Sequence, residues 1–205
     1  MRVVQQILYA ALIAVPLSAA STAALGAQTS SAKRETVTRV QKALERLPYY
    51  GVFDFLAFGV DRGTVTIFGY AYRGSLKTEA VQAVKRVRGV DDVVDRIEIL
   101  PSSPLDESIR LATFASVYGD DHFSRYIPGG PVTVRYDFNL FARFPNMQPV
   151  GMYPIHIIVK NLRTTLLGTV DTDLDRTLAS TRARTVPGVL NVDVEVMVAR
   201  DLARQ

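Results

Sequence analysis

The sequence predicts an α+β protein made of two αββαβ modules, each a three-stranded mixed sheet covered on one face by two helices. Three observations predict it. First, residues 63–99 read strand, helix, strand, and the same pattern recurs without a gap ninety-nine residues later, over 162–198. The overlay places Val60 on Val159, Gly69 on Gly168, Thr78 on Thr177, Ala80 on Ala179, Val87 on Val186 and Gly89-Val90 on Gly188-Val189. A self-match at fixed spacing sets the architecture before any propensity argument. Second, within each copy the apolar spacing switches from period two to helical and back. Third, an amphipathic helix precedes each copy, and a sheet with two helices on one face is the economical way to bury all these stripes.

Residues 1–27 have the layout of a secretory signal peptide: Arg2, an apolar run from Ile7 to Leu17, then the small residues Ser18 to Ala24. The run contains Pro16 and is shorter than the roughly 20 residues of a membrane span. Cleavage after Ala20, Ala24 or Ala27 fits, and Ala27 is favoured because Gln28-Thr29-Ser30-Ser31 opens a polar linker over 28–34. The protein is therefore expected to be exported, with a periplasmic location. The chain has no cysteine, which excludes disulfides, N-terminal lipidation at cysteine and thiolate metal sites. The formal net charge of +4, or +3 once Arg2 leaves with the leader, is too slight to argue for nucleic acid.

The first module is expected over 35–100. Val37, Val40, Leu44 and Leu47 lie at helical spacing, and Pro48 ends that helix. Val52 to Val60 and Thr64 to Tyr70 read as strands joined through Asp61-Arg62-Gly63. Leu76, Ala80, Ala83, Val84 and Val87 mark the second helix, Leu76 to Arg88, stopped by Gly89. Val93 to Leu100 closes the module with Ile97 and Ile99 on one side, Arg96 and Glu98 on the other.

Residues 101–105 form a short linker, and Ser103 or Asp106 is placed to start the helix Leu105 to Val117. The second module is expected over 106–198, with an insertion at about 118–153 carrying Tyr126, Tyr136, Phe138, Phe141 and Phe144, and a tail over 199–205. Its strands are Ile155 to Lys160, Thr164 to Val170 and Val192 to Val198, with a helix from Leu174 to Val186 that Asp171 or Asp173 can cap.

The repeated Gly-x-Val-Thr-Ile-x-Gly strand (Gly63, Val65, Ile67, Gly69) and the terminal Gly89, Val90 and Val93, matched by Leu166, Gly168, Gly188, Val189 and Val192, resemble the BON domain in tandem. The resemblance implies an α+β fold in the order αββαβ and a non-enzymatic module of exported bacterial proteins. It also implies attachment to phospholipid surfaces or envelope partners, in support of envelope integrity and osmotic stress tolerance. Gly69, Gly89, Gly168 and Gly188 then carry structural roles. The hairpin of the second copy carries Asn161-Leu162-Arg163 and lacks the turn glycine of Asp61-Arg62-Gly63; Asn tolerates left-handed backbone, so the turn is altered and the fold kept.

No nucleophile elbow, phosphate loop, His-Glu-x-x-His or dinucleotide fingerprint occurs, and no cofactor, metal or small-molecule substrate is implied. His122 and His156 are read as structural or surface residues. Asp171-Thr172-Asp173-Leu174-Asp175 imitates a calcium loop, but Arg176 and Arg182 stand where the loop needs Gly and a bidentate Glu, so these acids read as helix-capping groups. The Gly-x-x-Gly clamp of RNA-binding KH modules is absent. Two binding surfaces remain. Arg39, Lys42, Arg46, Lys77, Lys85, Arg86 and Arg88 compose a basic face on the helices of the first module, suited to anionic phospholipid. Tyr126, Tyr136, Phe138, Phe141 and Phe144 compose an aromatic segment that either fills the core or contacts an envelope protein, the second case making the chain an interaction module or holdase-like stress factor.

Overall fold

Helix α1 spans Ala19–Glu45 in this computed structural model, which describes residues 19–128 and 152–202. It starts well before residue 35, where the first module was expected to begin, and runs through residues 28–34, read above as a linker, because Ala-rich sequence has high intrinsic helix propensity. Residues 31–35 are exposed, and packing begins at Thr36 and Val40. The chain then continues through β1 (Phe55–Asp61), β2 (Thr64–Ala71), α2 (Gly74–Lys85) and β3 (Asp92–Ile99). The second module repeats the order with α3 (Pro104–Tyr118), a 3-10 helix (Asp121–Tyr126), β4 (Ile155–Lys160), β5 (Arg163–Val170), α4 (Asp173–Arg184) and β6 (Asn191–Val198). A four-residue helix α5, Ala199–Leu202, occupies the start of the expected tail.

Both sheets have the same topology. β1 pairs antiparallel with β2 and β2 parallel with β3; β4, β5 and β6 do the same. Two helices cover one face of each. In the first module Val40, Leu44, Val65, Ile67, Leu76, Ala80, Val84 and Ile97 form the core; in the second, Ile109, Val117, Ile157, Leu166, Ala179, Ala183 and Val196 do so. Gly69 and Gly168 sit at the same place in β2 and β5, with φ of 126° and 137°. A Cβ there would collide with the carbonyl of Phe55 or Pro154, so the strands approach this closely only at glycine.

The hairpin turns reach one shape by two routes. Arg62 and Gly63 have φ of 44° and 81°; Asn161 and Leu162 have 53° and 62°. Both are turns with two left-handed residues, the type that matches strand twist. In the second, the fully buried Asp106 carboxylate accepts the amides of Asn161 (3.0 Å) and Leu162 (2.8 Å). Ser103, not Asp106, caps α3: its hydroxyl accepts the Asp106 amide at 3.2 Å.

The modules share a core. Val52 and Phe53, expected at the start of β1, instead leave the first sheet and are buried in the second module's core. The Val52 carbonyl accepts the Ile157 amide at 2.8 Å, and the Phe53 ring meets Phe114 edge-on at 6.0 Å. Leu100, Ile158 and Leu167 are buried together, with Phe55 and Tyr70 against them. Along the strands these residues alternate with those facing the helices, so the sheets meet through the faces their own helices leave open. The helix layers lie on the outside. Arg110, 1% exposed, ties this junction. It pairs with Glu107, donates to the Val159 carbonyl at 3.0 Å, and lies over the Tyr72 ring at 4.9 Å, while the Tyr72 hydroxyl donates to Glu107 at 3.0 Å.

Candidate functional site

The outer surface of the first module is the α1–α2 layer. The Arg39 guanidinium donates to the Arg88 carbonyl at 3.4 Å, which brings the start of the packed part of α1 beside the end of α2. Lys42, Arg46, Lys85, Arg86 and Arg88 are exposed, and among the described residues none is paired with a carboxylate. Lys42 lies in the last turn of α1 and Arg46 directly follows its end. Arg46 lies about 10 Å along the helix from Arg39, so the positive surface is a band. Glu35 answers Arg39 and Glu45 accepts from Gln41, which leaves the band positive.

Lys77 stands apart from the other cations. Its ammonium donates to the Ile97 carbonyl at 2.6 Å and pairs with Asp95 at 3.2 Å, while Asp95 accepts the Ile97 amide at 2.9 Å. Lys77 thus closes the edge of β3. Arg39, held by Glu35 and the Arg88 carbonyl, is similarly engaged. The other five of the seven have no carboxylate partner among the described residues.

Tyr126, in the segment read above as either core or partner-facing, is part of an internal cluster at the start of α4. Its hydroxyl donates to Asp175 at 2.8 Å and accepts the Asp171 amide at 2.9 Å, and Arg125 lies 4.6 Å over its ring. Asp175, fully buried, is the hub: Thr172, His122 and Arg125 also reach its carboxylate. Burial pushes this carboxyl up, but the hydrogen bonds from Tyr126, Thr172, His122 and Arg125 outweigh it and hold it well below the usual range. Thr172 and Asp175 form a capping box, and Asp173 pairs with Arg176 and Arg200, so these acids are committed to the helix end. His122 is a structural member of the cluster. Tyr136, Phe138, Phe141 and Phe144 lie outside the described residues.

His156 is buried where the modules meet. Its Nδ1 faces the Gly51 carbonyl at 3.3 Å, its Nε2 the Tyr50 hydroxyl at 3.5 Å, and the rings of Tyr50 and Phe55 flank it. Burial lowers its pKa to about 4. Burial likewise raises the Tyr50 hydroxyl to about 12. Sequence reasoning passed over Arg110, read Asp106 only as a possible helix start, and read Asp175 only as one of several helix-capping acids. The signal was present for two of them: Arg110 falls on the buried stripe of α3, four residues from both Asp106 and Phe114, and Thr172-x-x-Asp175 has capping-box spacing.

A family model, the BON domain, matches residues 33–101 and 139–200, together more than half of the chain. The protein belongs to the BON domain family. The first match spans the whole first αββαβ unit and the second takes in β4, β5, α4 and β6 of the second but not α3, which supports a tandem BON-domain chain. The family is generally non-enzymatic, is associated with phospholipid and the envelope, and is typical of exported proteins. No curated protein matches the sequence. Among solved structures, CdsD, a structural protein of the type III secretion system of Chlamydia trachomatis, is 12% identical over 83% of this chain and 96% of that one, with a TM-score of 0.26. A structure of its C-terminal domain is 13% identical over 79% and 96%, with a TM-score of 0.25. Among the described residues no helix of this BON-domain chain is long and apolar enough to cross a membrane, and no group of acids and histidines is placed to hold a metal ion.

Proposed function

We propose that this tandem BON protein is an exported, non-enzymatic envelope protein that docks on anionic phospholipid through the α1–α2 layer of its first module. One observation carries the reading: Lys42, Arg46, Lys85, Arg86 and Arg88 are exposed, without carboxylate partners among the described residues, on the layer that faces away from the second module. Each cation near an anionic bilayer contributes about 1 kcal/mol, an attraction that fades within a Debye length. Five such groups give reversible, salt-sensitive attachment. The shared core makes the second module a rigid extension held off the surface, consistent with a role in envelope integrity or osmotic stress tolerance. Of the aromatic segment on which the holdase reading rests, only Tyr126 lies among the described residues, and its hydroxyl is engaged by Asp175 and the Asp171 amide.

Co-sedimentation with vesicles of phosphatidylcholine, with and without phosphatidylglycerol, tests this. Binding is expected only with the anionic lipid and is lost in high salt. The triple variant Lys85→Gln, Arg86→Gln, Arg88→Gln is expected to weaken binding about a hundredfold, at roughly 1 kcal/mol per charge. Binding indifferent to lipid charge and to salt defeats the proposal.

A further inference from the structure

The sheet edges are not treated alike. β3 is closed by its own Asp95 and by Lys77, which together hold the Ile97 amide and carbonyl. On β6 Arg184 donates to the Val192 carbonyl at 3.0 Å. On β4 the Ile157 amide is taken by Val52. Basic side chains and covering segments are the devices by which proteins stop a sheet from recruiting another strand. β1 lacks them. Its outward side begins at Leu56, whose amide meets the Tyr50 hydroxyl at 3.4 Å; by the period of two, the amides and carbonyls of Phe58 and Val60 also point outward. Among the described residues nothing accepts or donates to them.

A groove of about 370 Å³ runs beside this edge, between β1 and the end of α1. Leu44, Leu56, Phe58 and Met152 make it apolar, and Glu45 stands on its α1 rim. An unpaired backbone row beside an apolar groove is the geometry of strand addition, in which main-chain bonds supply affinity and alternate side chains supply selectivity. We infer that the β1 edge accepts an extended segment of a partner polypeptide as an added strand. Apolar side chains at alternate positions enter the groove, and a Lys or Arg lies opposite Glu45. The Glu45 carboxylate, held only by the Gln41 amide among the described residues, supplies the charge complementarity. A lone segment fits better than a second copy, whose β1 would bring its own helix layer onto the face that α1 already occupies. This contact goes beyond the lipid reading and lies on a strand that the basic band does not use.

The probe is a blocked synthetic peptide of about nine residues, Lys followed by Val alternating with Thr, long enough for an ordinary strand. Three results are expected with the full chain. Peptide slows amide exchange at Phe58 and Val60 about tenfold or more. N-methylation of alternate peptide residues abolishes binding in one register and spares it in the other, because only every second amide faces the protein. Glu45→Lys weakens the Lys peptide about fivefold and strengthens a Glu-bearing counterpart by a similar factor, as expected for an exposed ion pair. Equal binding of both N-methylated peptides overturns the inference. So do Phe58 and Val60 amides already protected in the peptide-free protein, whether by the chain's own residues or, if sedimentation shows a dimer, by a second copy.

Discussion

The carboxylate of Asp106 accepts the amide of Leu162 at 2.8 Å and, through its other oxygen, that of Asn161 at 3.0 Å. Leu162 has φ of 62°, a left-handed conformation that costs an L-residue roughly 1–2 kcal/mol. The matching residue of the first module is Gly63, where a side chain would run into Asp91. In the second module Leu190 replaces Asp91 and points outward, 71% exposed, so that clash is gone. One copy makes its turn with glycine. The other makes it with an acid lent by the neighbouring helix.

Asp106→Ala is therefore expected to destabilise the protein by about 2–3 kcal/mol, since it removes an ionised acceptor shared by two amides. Adding Leu162→Gly to that variant should recover about 1 kcal/mol, because glycine adopts the turn without strain. Urea unfolding of the single and double variants checks both figures. A double variant no more stable than Asp106→Ala would show that strain at Leu162 is not what Asp106 opposes.

The repeat explains why the architecture was readable and the junction was not. Residues 63–99 and 162–198 carry their secondary structure in local periodicity, and the strands and helices fell within a few residues of expectation. Val52 and Phe53 looked like strand because they are β-branched and aromatic, a pattern that does not say which sheet receives them. The length of α1 was missed for a different reason: Ala-rich sequence between Ala19 and Ala32 has helical propensity but no apolar periodicity. Likewise charge count alone did not separate Lys77, which closes an edge, from Lys85, which is free of any carboxylate partner among the described residues. That difference is tertiary.

Lys77→Gln and Lys85→Gln should therefore have opposite phenotypes. Loss of Lys77 leaves the Ile97 carbonyl and Asp95 without their cation, opens the β3 edge, and is expected to promote self-association while barely changing vesicle binding. Loss of Lys85 should weaken binding to anionic vesicles about fivefold, at roughly 1 kcal/mol per charge, and leave solubility unchanged. Light scattering and co-sedimentation on the same preparations distinguish them. Equal effects on vesicle binding would count against the assignment of Lys77 to the edge.

Arg110→Ala is expected to cost about 2–3 kcal/mol, because it takes the donor from the Val159 carbonyl and the cation from Glu107, which is partly exposed and keeps only the Tyr72 hydroxyl. Arg110→Met with Glu107→Gln should cost much less, since removing both charges leaves no unpaired ion. Phe53 and Tyr72 reach the same site from the first module, so the native chain is expected to unfold in a single calorimetric transition. Two separated transitions in the native chain would show that the shared core does not couple the modules.

His156 gives the protein a titration with a defined direction. Its pKa is lowered by burial to about 4, while in the unfolded chain it lies near the ordinary 6.5. Above about pH 6.5 the ring is neutral in both states and contributes no pH dependence. Between there and about pH 4 the unfolded state binds the proton first, so stability falls with falling pH; the full loss is about 3 kcal/mol and levels off once the native ring is protonated too. Asp175, depressed in the folded state, contributes stability that disappears only below the ordinary carboxyl range of about 4, outside this window. His156→Leu should cost about 1 kcal/mol at pH 7 through the lost contacts to Gly51 and Tyr50, and should flatten the profile between pH 6.5 and 4.5. Denaturant unfolding across that range tests it. A slope unchanged in His156→Leu would place the titrating group elsewhere.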